Sequence, residues 1–279
     1  MKKVIVLLLA AVLLLSVIGC KKAENKKLTV AMSPDFAPME FVDTSKSGQE
    51  QYVGFDVTLA NFLAKELGME LEIKPMSFDA CMTAVQLGSV DMAISGFSWK
   101  PDRAENFLLS DYYIAGDNET QQSVITVKAK ENTCKTQADF SGWKVGAQAS
   151  SLQEQLVKDE LIPAGAELVV YKSIDDAVLA LQTGKIDALA VAHGNGEAII
   201  ANNPDLAFTG FDFDVDPKYE NNVILLNKNS TEMLEKVNKV LAKAMAAGVY
   251  DGWYEDAKAL AGIPTAADVS YDDDGKPVS

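Results

Sequence analysis

The chain has 279 residues, of which 48% are apolar and 23% charged. This is ordinary globular composition with room for two modest domains. The formal net charge of −15 argues against DNA or RNA binding, because such a surface repels phosphates. The negative charge does not exclude a small acidic ligand, provided that local hydrogen-bond donors outweigh the repulsion from the rest of the surface.

The first twenty residues have the pattern of an export signal. Lys2 and Lys3 precede an apolar run from Val4 to Val17, which is too short for a lasting membrane span. The run ends in "VIGC", which looks like a bacterial lipobox with Cys20 as the lipid-bearing residue. An ordinary signal peptide with an incidental cysteine is the alternative. Lys2 and Lys3 are the only charges before Cys20, so the mature chain keeps 23 positive and 40 negative charges, a net of −17.

Alternating strand and helix patterns follow, and they predict an α/β fold with mostly parallel sheets. One helix is closed by Gly68, and another begins with Ser151 and Glu154 at capping-box spacing. The predicted elements are a strand at Leu28–Met32, a helix at Asp56–Leu67, strands at Glu70–Lys74 and Lys144–Ala147, a helix at Ser151–Asp159 and a strand at Leu168–Tyr171.

A repeat organises the chain. "SFDACMTAVQLGSVDMAISG" from Ser77 and "SIDDAVLALQTGKIDALAVA" from Ser173 share serine, aspartate, glutamine and glycine at matching positions. In each, Ser is placed to cap a helix, Gly is placed for a left-handed C-cap, and a short apolar strand follows. Two such units predict two similar lobes.

Two strand-like runs, Ser123–Lys128 and Asn222–Asn227, are candidates for crossings between the lobes. Helices from Thr231 to about Ala247 and from Tyr250 to Leu260 would return to the first lobe. The predicted organisation is a signal peptide (1–19), a lipid-anchored tether (20–27), lobe 1 (28–120 plus 226–262), lobe 2 (121–225) and a flexible acidic tail (263–279).

Several segments together resemble a family. They are "SPDFAPMEFVD", "VGFDVTLANFLAKELG", the first copy of the repeat, "KPDRAENFLLSDYY", "FSGWKVGAQASSLQEQL" and "ALQTGKIDALAV". In combination they look like the solute-binding proteins of polar amino acid ABC importers, bacterial extracellular family 3. The resemblance runs from about Leu28 to Leu260. It implies a two-lobe periplasmic-binding-protein-like fold of type II, with two hinge crossings and closure over a ligand.

The resemblance also implies a ligand site. Arg103 matches the arginine that grips the ligand's carboxylate, which a guanidinium can hold in bidentate form. A surface ion pair with Asp102 or Glu105 is the alternative for Arg103. The other matched positions are Gly96 and Ser98 as donors, with Ser95 close by, Ser150 and Ser151 in the second-lobe loop, and Phe36 and Phe78 beside the ligand's side chain.

Some positions depart from the family pattern. Ala192 stands where an aspartate usually receives the ligand's ammonium, and His193 follows it. Asp35, Glu40 or Glu197 could take the place of that aspartate. The neutral ring of His193 could accept one hydrogen bond, or it is a loop histidine in polar contact. Ser33 occupies a position that is sometimes acidic. Trp99 replaces a more usual aliphatic residue and either packs at the lobe edge or lines an aromatic pocket.

Cys81 and Cys134 are expected to be unpaired, and no Cys/His cluster indicates a metal or other cofactor. The resemblance implies a monomeric, lipid-anchored, extracytoplasmic receptor that captures an amino acid or related carboxylated solute for an ABC permease and its ATPase. One alternative is an enzyme similar to cyclohexadienyl dehydratases, with His193 or Glu197 as general acid. A ligand sensor acting through a separate partner is another.

Overall fold

The structure is a computed structural model, and it describes residues 26–113, 121–219, 221–265, 270–271 and 277–278. The predicted signal peptide, Cys20 and most of the predicted tether lie outside these residues. Within the described ranges, no helix combines the length and the apolar character needed to cross a bilayer.

The strands are short, and five of the six strand runs that the sequence predicts with bounds (all but Asn222–Asn227) agree with the structure to within a residue. They are β1 (Lys27–Met32), β2 (Asp35–Phe36), β3 (Glu40–Val42), β4 (Tyr52–Val53), β5 (Glu70–Pro75), β6 (Met92–Ala93), β7 (Leu108–Leu109), β8 (Gln122–Val127), β9 (Lys144–Gln148), β10 (Glu167–Tyr171), β11 (Ala188–Ala192), β12 (Leu206–Asp212), β13 (Leu225–Leu226), β14 (Ser270–Tyr271) and β15 (Pro277–Val278).

The helices include both members of the sequence repeat. They are α1 (Phe55–Leu67), α2 (Phe78–Gln86), α3 (Pro101–Asn106), α4 (Leu152–Leu156), α5 (Ile174–Gln182), α6 (His193–Asn202), α7 (Thr231–Ala247) and α8 (Tyr250–Leu260). A π-helical turn, Val157–Leu161, extends α4, so the predicted helix at Ser151–Asp159 runs slightly further than expected. Short 3-10 turns cover Gly48–Gln51, Lys128–Lys130, Gln137–Phe140 and Pro217–Tyr219.

Two five-stranded sheets form the centres of two lobes. The first has the order β5-β1-β6-β13-β7, and the second has the order β10-β9-β11-β8-β12. We call each sheet, with the helices packed on it, the first and the second lobe. The short ladder β2-β3-β4 adds to the first lobe, and β14 pairs with β15 in the C-terminal tail.

Each sheet is mixed: four of its strands run in one direction, in line with the mostly parallel sheets that the sequence predicts, and one strand runs against them. Strands β5, β1 and β6 are parallel, as are β10, β9 and β11. The antiparallel members are β13, which pairs with β6 and β7, and β8, which pairs with β11 and β12. The strands β8 and β13 overlap the two predicted crossing runs, and each is the first strand that its sheet receives after the chain has left the other sheet. The antiparallel direction of β8 and β13 therefore follows from the chain's crossings between the two sheets.

The two copies of the repeat have the same local structure. Gly88 and Gly184 follow their helices with left-handed φ values of 66° and 71°, the conformation that glycine adopts without strain. The aspartate that precedes the strand of each unit bonds to the neighbouring parallel strand, which is β1 in the first lobe and β9 in the second. Asp91 accepts from the Thr29 N–H at 2.7 Å, and Asp187 accepts from the Lys144 N–H at 3.0 Å.

The serine caps differ between the copies. Ser173 Oγ accepts from the Asp175 N–H as a helix cap, whereas Ser77 Oγ donates to the Asp79 side chain. The expected capping by Ser77 is therefore absent, because its hydroxyl is used by a neighbouring carboxylate.

Apolar clusters cover both faces of both sheets. In the first lobe, α7 and α8 pack on α1, so that Val237 and Tyr250 join the same core as Phe55. The second lobe is filled by residues such as Phe140 and Phe211. These packed cores make each lobe a rigid body, and the polar surfaces between the lobes are left to form a site.

Candidate functional site

A cleft lies between the lobes, at the carboxyl ends of several strands. Gln148 ends β9 and Ala192 ends β11, while Gly96 and Ser98 follow β6. This is where ligands gather in α/β sheets. The first lobe contributes Phe36, Phe78, Gly96, Ser98 and Arg103, and Asn222 lies just before its strand β13. The second lobe contributes Gln122, Gln148, Ser151, Leu152, Gln153 and Ala192.

Arg103 is the centre of the cleft. It lies in the short helix α3, which begins at Pro101, and its side chain is only 1% exposed. The guanidinium carbon lies 5.5 Å from the centre of the Phe78 ring and 5.3 Å from that of Phe97. Burial lowers the pKa of Arg103 to about 10, so the group keeps its charge at neutral pH. The alternative of a solvated surface charge does not fit this burial.

The donors of Arg103 reach both lobes. Nη1 donates to the Ser98 carbonyl oxygen at 2.5 Å, and Nη2 donates to the Ser150 carbonyl oxygen at 3.0 Å. Nε has no partner among the described residues. A guanidinium with one unpartnered nitrogen and two nitrogens that donate to neutral carbonyls can exchange those carbonyls for a carboxylate, which is the stronger acceptor.

Other contacts hold the two lobes together. The Asp35 carboxylate accepts from the Ile174 N–H at 2.8 Å and lies 3.4 Å from Gln148 Nε2, while Asn195 Nδ2 donates to the Ala37 carbonyl at 2.9 Å. The cavity between the lobes is about 20 Å³, which is room for about one water molecule. The lobes must therefore separate before a solute of amino acid size can enter.

The second-lobe loop next to Arg103 is held by the hydrogen bonds that cap the start of α4. Ser151 Oγ accepts from the Glu154 N–H at 3.0 Å, as the capping-box spacing predicts. The Glu154 carboxylate reaches one residue further back than expected and accepts from the Ser150 N–H. Ser150 has a φ of 65°, and this left-handed turn directs its carbonyl oxygen to Arg103.

A pair of buried carboxyl groups supports the first-lobe side of the cleft. Asp56 accepts from the Gly96 N–H at 2.8 Å and from Tyr113 Oη at 3.1 Å, and Glu40 accepts from Ser95 Oγ. Burial raises the pKa of Asp56 to about 7, and burial together with the charge of Asp56 holds the pKa of Glu40 well above its usual range. The side chains of Glu40 and Asp56 hydrogen-bond each other, and their raised pKa values mean that the pair shares a proton.

The structure brings six of the eleven predicted ligand-binding residues to the cleft lining: Phe36, Phe78, Gly96, Ser98, Arg103 and Ser151. Ser150 contributes its carbonyl oxygen to Arg103. Ser33 and Ser95 lie one layer behind, where the Ser33 N–H donates to Ser95 Oγ at 3.0 Å. Because the Gly96 N–H is held by Asp56, Gly96 does not offer it to a ligand in this conformation.

Trp99 and His193 lie away from the lining. Trp99 stacks on Tyr219, with ring centres 6.4 Å apart, and faces a different groove beside Leu109. His193 stacks on Phe208 at 4.6 Å, and its Nδ1 lies 2.9 Å from Ser123 Oγ. Both rings thus pack against another aromatic ring. The contact of His193 with Ser123 is a polar contact of the kind named as the second alternative for this histidine.

Several lining residues were missed by sequence reasoning. They are Gln122, Gln148, Leu152, Gln153 and Asn222, of which only Gln148 had a usable signal, because it ends a predicted strand. Gln153 Nε2 donates to Gln122 Oε1 at 2.5 Å. Within the parts of the chain described, no group of three or more His, Cys, Asp or Glu residues is placed to hold a metal ion. Cys81 and Cys134 are both buried and unpaired.

Residues 28–256 match the profile of the bacterial extracellular solute-binding proteins, family 3. The chain belongs to this family. One member, the arginine-binding extracellular protein ArtP of Bacillus subtilis, is 30% identical over 248 residues, which cover 86% of this chain and 92% of ArtP. Another, a probable histidine-binding protein of Campylobacter jejuni, is 28% identical over 271 residues, covering 90% and 96% of the two chains.

Solved structures agree with this family assignment. The amino acid ABC transporter substrate-binding protein AbpA from Streptococcus pneumoniae, bound to L-arginine, has a TM-score of 0.77 and 35% sequence identity, and the match covers 89% of this chain and 100% of that one. An ancestral arginine-binding protein bound to arginine has a TM-score of 0.72 and 32% identity, covering 82% and 97%. The predicted two-lobe fold of type II is confirmed.

Proposed function

We propose that the protein is the extracytoplasmic receptor of an ABC importer and that it captures a small carboxylated solute, an amino acid or a close relative of one. The observation that carries this proposal is the buried guanidinium of Arg103, which lies between the lobes and donates to backbone oxygens on both sides. The relatives named as arginine- and histidine-binding proteins support the same class of solute.

Binding proceeds in two steps. The lobes first separate, which breaks the Arg103–Ser150 contact and the Asp35–Ile174 contact. The carboxylate then takes the two Nη donors of Arg103, in the bidentate geometry that suits a planar fork. Closure brings Ser151 and the second-lobe amides onto the solute and excludes water, which strengthens each polar contact.

Capture involves no bond making in this proposal. An enzyme of the dehydratase kind needs a general acid at the cleft. The two candidates, His193 and Glu197, are not among the residues that line it. Binding followed by delivery to a permease and its ATPase is therefore the function that the site supports best.

We further propose that Cys20 carries lipid and holds the receptor on the outer face of the cell membrane. Its support is the "VIGC" sequence after the apolar run. Membrane fractions of cells expressing the full chain, with and without Cys20→Ser, test this by mass spectrometry. A diacylglyceryl mass on Cys20 and release of the serine variant into the medium are expected, and an unmodified Cys20 in a membrane-free protein contradicts it.

The binding function is tested with the full mature chain after unfolding and refolding to remove any carried solute. Thermal shift and calorimetric titration against a panel of amino acids, 2-hydroxy acids, 2-oxo acids and dicarboxylates should give at least one binder. A panel in which no carboxylate raises Tm or releases heat contradicts the proposal. Cyclohexadienyl substrates in the same panel, followed for turnover, separate binding from catalysis.

A further inference from the structure

We infer that the solute is a carboxylate with no ammonium group, such as a 2-hydroxy or 2-oxo acid, and so differs from the arginine that is bound in the related structures. This inference rests on the proposed function, because it assumes that Arg103 receives a carboxylate. It then asks what else the cleft can accept. The charges and the polar groups of the lining answer that question.

The first argument is the charge of the lining. Of the twelve residues that line the cleft in the described structure, Arg103 alone is charged. A carboxylate balances that charge and leaves the closed site neutral. An amino acid brings an ammonium as well, and an ammonium that is removed from water needs a carboxylate or several well-placed acceptors. The lining offers no carboxylate to it.

The second argument is Ala192. This residue ends β11 and precedes α6, at the sheet edge that faces the cleft, and it is 2% exposed. Its side chain is a methyl group, which neither accepts a hydrogen bond nor carries charge. The sequence comparison with the family pattern places an aspartate here. The structure places this position at the cleft. The cleft therefore has no carboxylate at the point where one could bind an ammonium.

The third argument is that the acids nearest the cleft already have donors. Asp35 accepts from the Ile174 N–H and from Ser33 Oγ at 2.9 Å, and Gln148 Nε2 lies within 3.5 Å of both of its oxygens. Glu154 accepts from the Ser150 N–H and from Lys158 Nζ. Neither acid lines the cleft.

Three further acids lie deeper or to one side. Glu40 and Asp56 are fully buried behind Ser95 and the Gly96 N–H, and their side chains hydrogen-bond each other. Glu197 lies beside His193, 4.0 Å from its Nε2, and is not part of the lining. None of these carboxylates is placed to receive a cation from a solute held on Arg103.

The remaining polar groups of the lining are neutral. Four are amides, those of Gln122, Gln148, Gln153 and Asn222, and two are the hydroxyls of Ser98 and Ser151. Amides donate and accept hydrogen bonds without charge, so they suit the hydroxyl or carbonyl oxygen of a hydroxy acid or oxo acid. The rings of Phe36 and Phe78 provide an apolar wall for the rest of the solute.

Matched pairs of solutes that differ only at the 2-position test the inference. Suitable pairs are L-leucine with (S)-2-hydroxy-4-methylpentanoate, L-phenylalanine with (S)-phenyllactate, and L-alanine with L-lactate, each with the corresponding 2-oxo acid. We expect the hydroxy or oxo acid of at least one pair to bind at least 10-fold more tightly than its amino acid by calorimetry at pH 7. L-Arginine should not bind.

The outcomes separate the two proposals. Binding of amino acids in preference to their hydroxy and oxo acids overturns the inference and leaves carboxylate capture intact. Binding of no carboxylate in the panel overturns the proposed function, and the inference falls with it. Preference for the hydroxy or oxo acids supports both.

Two substitutions at one position give a further test. Ala192→Asp places a carboxylate in the cleft, and Ala192→Asn places a neutral side chain of nearly the same shape there. Relative to the asparagine variant, the aspartate variant should lose at least 10-fold in affinity for the hydroxy or oxo acid and gain affinity for the matched amino acid. Equal preferences in the two variants contradict the inference, and circular dichroism and Tm confirm that both are folded.

Discussion

Replacing Arg103 by leucine removes the guanidinium but keeps an apolar side chain beside the stacked rings of Phe78 and Phe97. Loss of one partner from a buried, hydrogen-bonded charge pair typically weakens binding by about 2 to 5 kcal/mol, which is roughly 30-fold to several-thousand-fold in Kd. Calorimetric titration with the carboxylate that gives the largest thermal shift in the unmodified protein measures this loss.

The stability of the ligand-free protein should change much less. Burial lowers the pKa of Arg103 from 12.5 to about 10, which corresponds to roughly 3 kcal/mol for holding the charge away from water. Leucine recovers that free energy and loses two hydrogen bonds to carbonyl oxygens, worth about 1.5 to 3 kcal/mol each when a charge is involved. These terms oppose one another, so the Tm should change little.

Arg103→Lys is the matched control. It keeps a positive charge but loses the planar fork, so its affinity should lie between those of the unmodified protein and the leucine variant. Unchanged affinity in the leucine variant refutes the role of Arg103. A fall in affinity that only accompanies a large fall in Tm shows that Arg103 is structural, and refutes the reasoning as well.

Three further predictions concern the residues around Arg103. Because Asp56 has a folded pKa of about 7 and an ordinary value of 3.8, stability should fall by up to about 1.4 kcal/mol per pH unit as pH rises from about 4 to 7. In Glu40→Gln the side-chain amide replaces the shared proton, so the slope of Tm against pH should be flatter than in the unmodified protein. Parallel curves for the two proteins would count against a proton shared by Glu40 and Asp56. Gly96→Ala places a Cβ 2.6 Å from Phe36 Cε1, whereas the control Gly88→Ala, with a similar positive φ, meets no atom within 4 Å. In urea unfolding, Gly96→Ala should be about 1 to 3 kcal/mol less stable than the control. Equal losses of stability in the two variants would exclude the clash with Phe36. Asp35→Ala removes a bond between the lobes and should increase the radius of gyration of the ligand-free protein in X-ray scattering, and an unchanged value would show that this bond does not hold the lobes closed.

Much of the fold could be predicted from local patterns, because the determining signals lie within one or two turns of chain. The glycine after each repeat helix, the capping pair at Ser151 and the apolar runs of β1 and β9 each specify their own element. Asp91 and Asp187 coincide in the repeat because each bonds to the parallel strand beside its own, β1 in one lobe and β9 in the other. The antiparallel entry of β8 and β13 was missed because strand direction depends on where the chain crosses, which a local pattern does not contain.

The site was predictable only where a segment of the sequence resembles the family. The role of Arg103 was expected because its segment matches the one whose arginine grips a carboxylate. Gln122, Gln153 and Asn222 were missed because an amide on a strand or helix end is usually solvated, and only the closing of two lobes brings these three together. Two positions stayed open for Trp99, packing at the lobe edge or lining an aromatic pocket, because sequence alone does not show which side of a turn its ring will occupy.

The bond from Arg103 Nη2 to the Ser150 carbonyl oxygen has a consequence for transport. It gives the receptor an internal substitute for cargo, so the clamp can shut while unloaded, and every incoming solute must first compete with the protein's own backbone. Such competition lowers the apparent affinity by the fraction of molecules that are open. In the proposed function it also assists unloading, because the same oxygen can reclaim the guanidinium as the solute departs toward the permease.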